Sequence, residues 1–115
     1  MRYISTRGES SSKNFDDAVL TGLAPDGGLY VPQHVPRFSI EEIESWQAYS
    51  YQELAQCVMW PYVGDRVSSK DLELIIEKSY SGFRDTSIAP LVDLGLDGWI
   101  LELFHGPTLA FKDFA

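Results

Sequence analysis

The stretch "SSKDLELIIEKSYSGF", residues 68–83, decides what kind of fold this chain adopts. Leu72, Ile75, Ile76, Tyr80 and Phe83 recur at intervals of three and four residues, the period that brings side chains onto one face of an α-helix. Ser68 or Ser69 supplies a start, because a serine hydroxyl can accept one of the unpaired N–H groups of a first helical turn. Gly82 supplies a stop, since glycine tolerates the left-handed backbone on which helices commonly end. The spacing predicts a helix with a buried apolar stripe.

Upstream of it lie two Ser-x-x-Glu capping boxes, Ser39 with Glu42 and Ser50 with Glu53, each ahead of apolar residues at helical spacing. They predict one helix carrying Ile40, Ile43 and Trp46, and another carrying Leu54, Val58 and Met59 that Pro61 kinks or ends. Nearer the start, Phe15, Ala18, Val19 and Leu23 mark a further helix, with Asn14 as cap, Asp16 and Asp17 in its first turn, and an end near Gly22. "RYIST" alternates like a short strand, and Pro25-Asp26-Gly27-Gly28 is a strong turn signal before the extended Leu29-Tyr30-Val31. Downstream, Leu91 to Leu94 and Trp99 to Phe104 read as two strands about a Gly-Leu-Asp-Gly turn. The expected fold class is α+β: a small, mostly helical domain with a minor β-sheet.

Composition narrows the function. Seventeen acidic against nine basic residues leave a net charge of −8, which repels phosphate backbones and argues against nucleic-acid binding. At 44% hydrophobic residues the chain can bury a core, yet no run approaches the roughly 18 apolar residues of a membrane span. The first ten residues lack the apolar stretch of a secretory signal, so the expected setting is cytoplasmic. Cys57 stands alone among apolar neighbours and reads as a core thiol. His34, His105 and Cys57 have no ligand-type spacing, so no metal site is expected. The acidic pairs Asp16-Asp17, Glu41-Glu42 and Asp71-Glu73 fall in first helical turns, where the helix dipole explains them, and the glycines of "APDGG" match no phosphate-binding loop.

The stretch around Lys112 differs from the rest. With Thr108 as cap, "GPTLAFKDFA" reads as a helix start with Lys112 at its positive end, where a lysine is mildly unfavourable. A helix N-terminus and partial burial both disfavour an ammonium, whose ordinary pKa is about 10.4, and make the amine a better nucleophile toward an aldehyde. The competing reading is a solvated lysine paired with Asp113.

"ELFHGPTLAFKDFA" resembles the cofactor-lysine region of the threonine synthase family, within the fold type II enzymes that use pyridoxal 5′-phosphate. "YISTRGES" and "FDDAVLTGLAPDGGLYVP" resemble the amino-terminal domain that sets threonine synthases apart in that group, and Phe114, where shorter forms carry arginine, looks like the longer bacterial and fungal subtype. The resemblance spans essentially the whole chain. It implies a threonine synthase amino-terminal domain over residues 1–98 and the truncated start of the cofactor-binding catalytic domain over 99–115.

The resemblance further implies that Lys112 binds pyridoxal phosphate covalently and moves protons while O-phospho-L-homoserine and water become L-threonine and phosphate. Thr108, Phe111 and Asp113 belong to the same motif, as cap, packing partner beside the cofactor ring, and supporting acid; an ordinary cap, a core aromatic and a surface acid are the competing readings. His105 either faces the cleft or is a turn residue, and Arg7 either reaches an anion or is an exposed loop arginine. The family's remaining cofactor and substrate loops are expected downstream, so this chain alone is expected to be inactive. Two alternatives stay open: a related phospho-lyase that makes a keto acid, and a non-enzymatic helical interaction domain presenting Trp46, Trp60 and Tyr62. Oligomeric state is not legible.

Overall fold

The computed structural model describes residues 1–114, as four α-helices and two separate two-stranded antiparallel sheets, which bears out the α+β class. β1 (Tyr3–Ser5) pairs with β2 (Tyr30–Pro32) in the register Tyr3↔Pro32, Ile4↔Val31 and Ser5↔Tyr30. Tyr3 and Ser5 are buried and Ile4 is exposed, the two-residue alternation of a strand with one covered face.

Between these strands runs α1 (Phe15–Thr21). Its expected stripe is only partly buried: Ala18 is covered and Phe15 packs on the core, whereas Val19, Leu20 and Leu23 are exposed. The reason is local. Gly22, at φ +70°, ends the helix after two turns, and Leu23 leaves it to bridge Leu29. Nor does the Asn14 side chain cap the helix; its Oδ1 accepts from the Arg2 guanidinium at 2.6 Å.

The Pro25–Gly28 turn forms as expected, closed by Gly27 N donating to Ala24 O at 2.8 Å. The Asp26 carboxylate gathers the loops around it, accepting from Ser5 Oγ at 2.7 Å, Gly28 N at 2.9 Å, Ser10 N at 2.9 Å and Glu9 N at 3.1 Å. Arg7 closes the same knot by donating to Asp26 O at 2.9 Å. Desolvation pushes the Asp26 pKa up, but the combined hydrogen bonds from Ser5, Gly28, Ser10 and Glu9 outweigh it and bring it down to about 2. A folded-state value below the ordinary one of about 3.9 contributes stability that is fully present above that ordinary value and fades as pH falls through the folded one. Asp26→Asn is therefore expected to lower the melting temperature at pH 7, with the gap to the parent chain narrowing between about pH 4 and about pH 2. Melts across that range check it, and a gap that stays constant with pH contradicts it.

The helical half is α2 (Ile40–Ser45), α3 (Tyr51–Val63) and α4 (Ser69–Tyr80). Both capping boxes close reciprocally: Ser39 N donates to Glu42 Oε2 and Ser50 N to Glu53 Oε2, each at 2.7 Å, while each serine hydroxyl accepts the N3 backbone N–H. α3 passes through Pro61 and runs on to Val63, so the proline neither ends it there nor prevents the next bond, Gly64 N to Trp60 O at 2.8 Å. α4 starts on the Ser68 cap and stops at Ser81, one residue before Gly82. Its buried positions are Leu72 and Ile76, which with Val63 form the core, packed by Phe15, Ala55, Tyr62, Val67 and Tyr80. Ile75 is exposed, as are Ile40 and Ile43 of α2, which buries no residue. Trp46, just past α2, is half-buried against Phe38 with ring centroids 5.0 Å apart.

β3 (Leu91–Gly95) and β4 (Gly98–Leu101) form a hairpin whose two loop residues, Leu96 and Asp97, both have positive φ, as the tight hairpin turn requires. β4 ends at Leu101 rather than at Phe104, and β3 is exposed along its whole length. Among the described residues, no helix is long and apolar enough to cross a membrane and no group of three ligand side chains could hold a metal ion.

Candidate functional site: the Lys112 turn

After β4 the chain is fixed at intervals. Glu102 N donates to Pro90 O at 3.0 Å, and Arg84 N, just beyond α4, donates to His105 O at 2.8 Å. His105 Nε2 lies 2.7 Å from Glu102 Oε2, both side chains being largely covered, and its ring packs on Phe104 at 4.7 Å. His105 is thus held by a carboxylate and by its own backbone, closer to the turn-residue reading than to a free group.

From Gly106 onward the chain departs from the expected helix. Leu109 N donates to Gly106 O at 3.2 Å while Leu109 itself takes φ +62°, a left-handed conformation that stops helical propagation from Thr108. Beyond it, Phe111–Phe114 form a 3₁₀ turn and not an α-helix. Thr108 does not act as the expected cap, in which its oxygen would accept. Instead Thr108 N donates to Asp113 Oδ2 at 2.9 Å and Thr108 Oγ1 donates to Asp113 Oδ1 at 2.5 Å. The hydroxyl bond, the largest influence, and the backbone bonds hold the Asp113 carboxyl below the usual carboxylate range. Gly106 is buried beneath this pair, and a Cβ there would overlap the Asp113 carboxylate, so the clasp needs glycine at that position.

Lys112 sits on the exposed side of the turn and makes no ion pair among the described residues. The α-helix N-terminus and the partial burial expected to activate it are not found among the described residues: Phe111–Phe114 make a single 3₁₀ turn, which aligns few peptide dipoles, and Lys112 is exposed. The competing pair with Asp113 is absent as well, since Thr108 holds that carboxylate. Phe111 is 65% exposed and so is no core aromatic here, whereas Phe114 stacks edge-on against Phe83 at 5.1 Å. Phe83 meets Tyr80 at 5.2 Å, and Tyr80 meets Tyr51 at 4.9 Å, so a run of four rings ties the lysine turn to α4 and α3. A cleft of about 510 Å³ opens between those helices, with Ile76 in its wall and Asp113 and Phe114 at its edge.

Sequence reasoning placed Lys112, Thr108, Phe111 and Asp113 in one segment but missed the clasp, the ring series and the Glu102–His105 pair. The pair's three-residue spacing was the only signal available for it. Of the other candidates, Arg7 belongs to the Asp26 knot, Cys57 is half-buried and free, and His34 is exposed. The feature that suits an aldehyde cofactor at this site is the exposed Lys112 amine, which makes no ion pair among the described residues.

Comparison with known proteins bears on the whole chain. The family described as threonine synthase N terminus matches residues 2–80. A threonine synthase of Pseudomonas aeruginosa is 55% identical over 115 residues, covering all of this chain and 24% of the relative; one of Schizosaccharomyces pombe is 46% identical over 114 residues, covering 98% of this chain and 22% of the relative. The crystal structure of PLP-bound threonine synthase from Brucella melitensis superposes with a TM-score of 0.95 at 47% identity, covering 98% of this chain and 24% of that one. The chain therefore spans about a quarter of the length of the relatives it matches. Identity at this level across the chain, on the same fold, makes it a member of the threonine synthase N terminus family.

Proposed function

We propose that this chain is the amino-terminal part of a pyridoxal-phosphate-dependent carbon–oxygen lyase that converts O-phospho-L-homoserine and water into L-threonine and phosphate, in the cytoplasm. The observation that carries this reading is the near-complete superposition, TM-score 0.95, on a threonine synthase described as PLP bound. Residues 1–98 would form its amino-terminal domain and 99–115 the opening of its cofactor-binding domain, with the β3–β4 hairpin straddling the junction.

When bound, pyridoxal phosphate would supply an aldehyde and an aromatic ring able to take up negative charge from the substrate. Lys112 is the residue that would hold it, and an exposed amine with no ion pair among the described residues fits that duty. Its neutral amine would take the substrate's α proton and return protons during elimination and hydration. Thr108 and Asp113 would fix the turn that carries this amine, and the exposed Phe111 would lie beside the cofactor ring.

The test is an assay of a full-length protein that contains this chain, with O-phospho-L-homoserine as substrate. Threonine and phosphate in equal amounts are expected. Phosphate with a keto acid would favour the phospho-lyase, and no turnover would favour the interaction domain.

A further inference from the structure

Asp113 is the one acidic residue adjacent to Lys112 in sequence, yet both of its carboxylate oxygens are spent on Thr108. Gly106 leaves the space in which that carboxylate lies. We propose that Thr108 and Gly106 together hold the Asp113 carboxylate away from the neighbouring Lys112 amine, so that these two act as positioning residues keeping this lysine reactive. The proposal rests on the assignment of Lys112 as the attachment lysine for its biological meaning, but the clasp itself can be tested apart from that assignment.

Thr108 and Lys112 compete for one anion. An opposite charge brought within about 6 Å favours the charged form of an amine. At an exposed site a modest effect of this kind amounts to about a threefold loss of reactive free amine. A carboxylate released from Thr108 is free to swing toward the adjacent Lys112 side chain. Two independent changes should disturb this hold: Thr108→Val removes the hydroxyl donor and leaves only the backbone N–H on the other oxygen, and Gly106→Ala places a methyl group where the carboxylate now lies.

The experiment uses the 115-residue chain and pyridoxal 5′-phosphate at low concentration and fixed pH. An amine condenses with the aldehyde, losing water, and borohydride then delivers hydride to the imine carbon, leaving a stable secondary amine. Peptide mapping gives the label on Lys112 relative to Lys13, Lys70 and Lys78 of the same molecule, which serve as internal references. Gly106→Ala is expected to lower the Lys112 share about threefold, and Thr108→Val to lower it by less, because one backbone bond still holds the carboxylate.

Adding Asp113→Asn to either variant should return the share to that of the parent chain, because the evicted side chain then carries no charge. Asp113→Asn alone should leave it near the parent value. The Gly106→Ala, Asp113→Asn pair matters most, since the asparagine is as bulky as the aspartate. The turn stays disturbed while the charge is gone, so a merely structural role would show no recovery. Unchanged labelling in both single variants, no recovery in the double variants, or a large rise with Asp113→Asn alone would each overturn the proposal. Failure of the threonine synthase reading would show elsewhere, as undiminished turnover of a full-length protein lacking Lys112.

Discussion

Replacing Lys112 with alanine in a full-length protein carrying this chain is expected to cut threonine formation by about 10³-fold or more. The magnitude reflects the two duties assigned to one amine. A positioned proton-transfer group alone contributes about 10² to 10⁴ in rate, and loss of the attachment point adds to that. Stability should hardly move, because Lys112 is exposed and makes no ion pair among the described residues, and surface changes away from packed or paired features have small effects. Turnover and thermal melting measured on the same preparation separate the two effects. Unchanged turnover would eliminate both enzyme readings at once. Lost turnover together with a large fall in melting temperature would instead make Lys112 a structural residue.

The second large effect concerns the core. Ile76 is 2% exposed and, with Val63 and Leu72, makes up the only buried cluster among the described helices. Cutting it back to alanine removes buried methyl and methylene groups and leaves a cavity between α3 and α4, a change that costs about 2 to 5 kcal/mol. Small domains hold only about 5 to 15 kcal/mol in total, so Ile76→Ala should leave the chain marginally folded. Urea denaturation should show a lower midpoint at an unchanged slope, and a loss under about 1 kcal/mol would contradict this packing of α4 on α3. Ile75→Ala, one position along the same helix but 53% exposed, is the matched control and should cost far less.

The contrast between these neighbouring isoleucines shows how far the sequence could be read. The period of residues 72–83 identified the helix and included both, but periodicity defines a stripe and not its depth, which depends on where α3 lies. The Ser39–Glu42 and Ser50–Glu53 boxes were fully legible, since donors and acceptors three residues apart settle them locally. α1 was legible as a helix but not in its burial: Val19 and Leu23 carry the apolar pattern and remain exposed.

The Lys112 turn shows the opposite failure. Its residues are singled out, by resemblance, as the expected place of the chemistry, while its shape is misread. A threonine three or four residues before a polar run looks like a cap, and nothing local shows that Leu109 turns left-handed or that Asp113 reaches back five residues to take the threonine hydroxyl. The use of Gly106, to leave room for a carboxylate seven residues on, exists only in three dimensions. The rings of Tyr51, Tyr80, Phe83 and Phe114 come from three separate segments and meet only through the packing of α3 on α4.

The most direct test of the central claim is chemical mapping of the cofactor's attachment point. A full-length protein carrying this chain, purified with pyridoxal phosphate bound, reduced with borohydride and digested, should yield one pyridoxyl-labelled peptide, with the label on Lys112. A label on Lys13, Lys70, Lys78 or a lysine elsewhere in the protein, or none at all, would contradict the account.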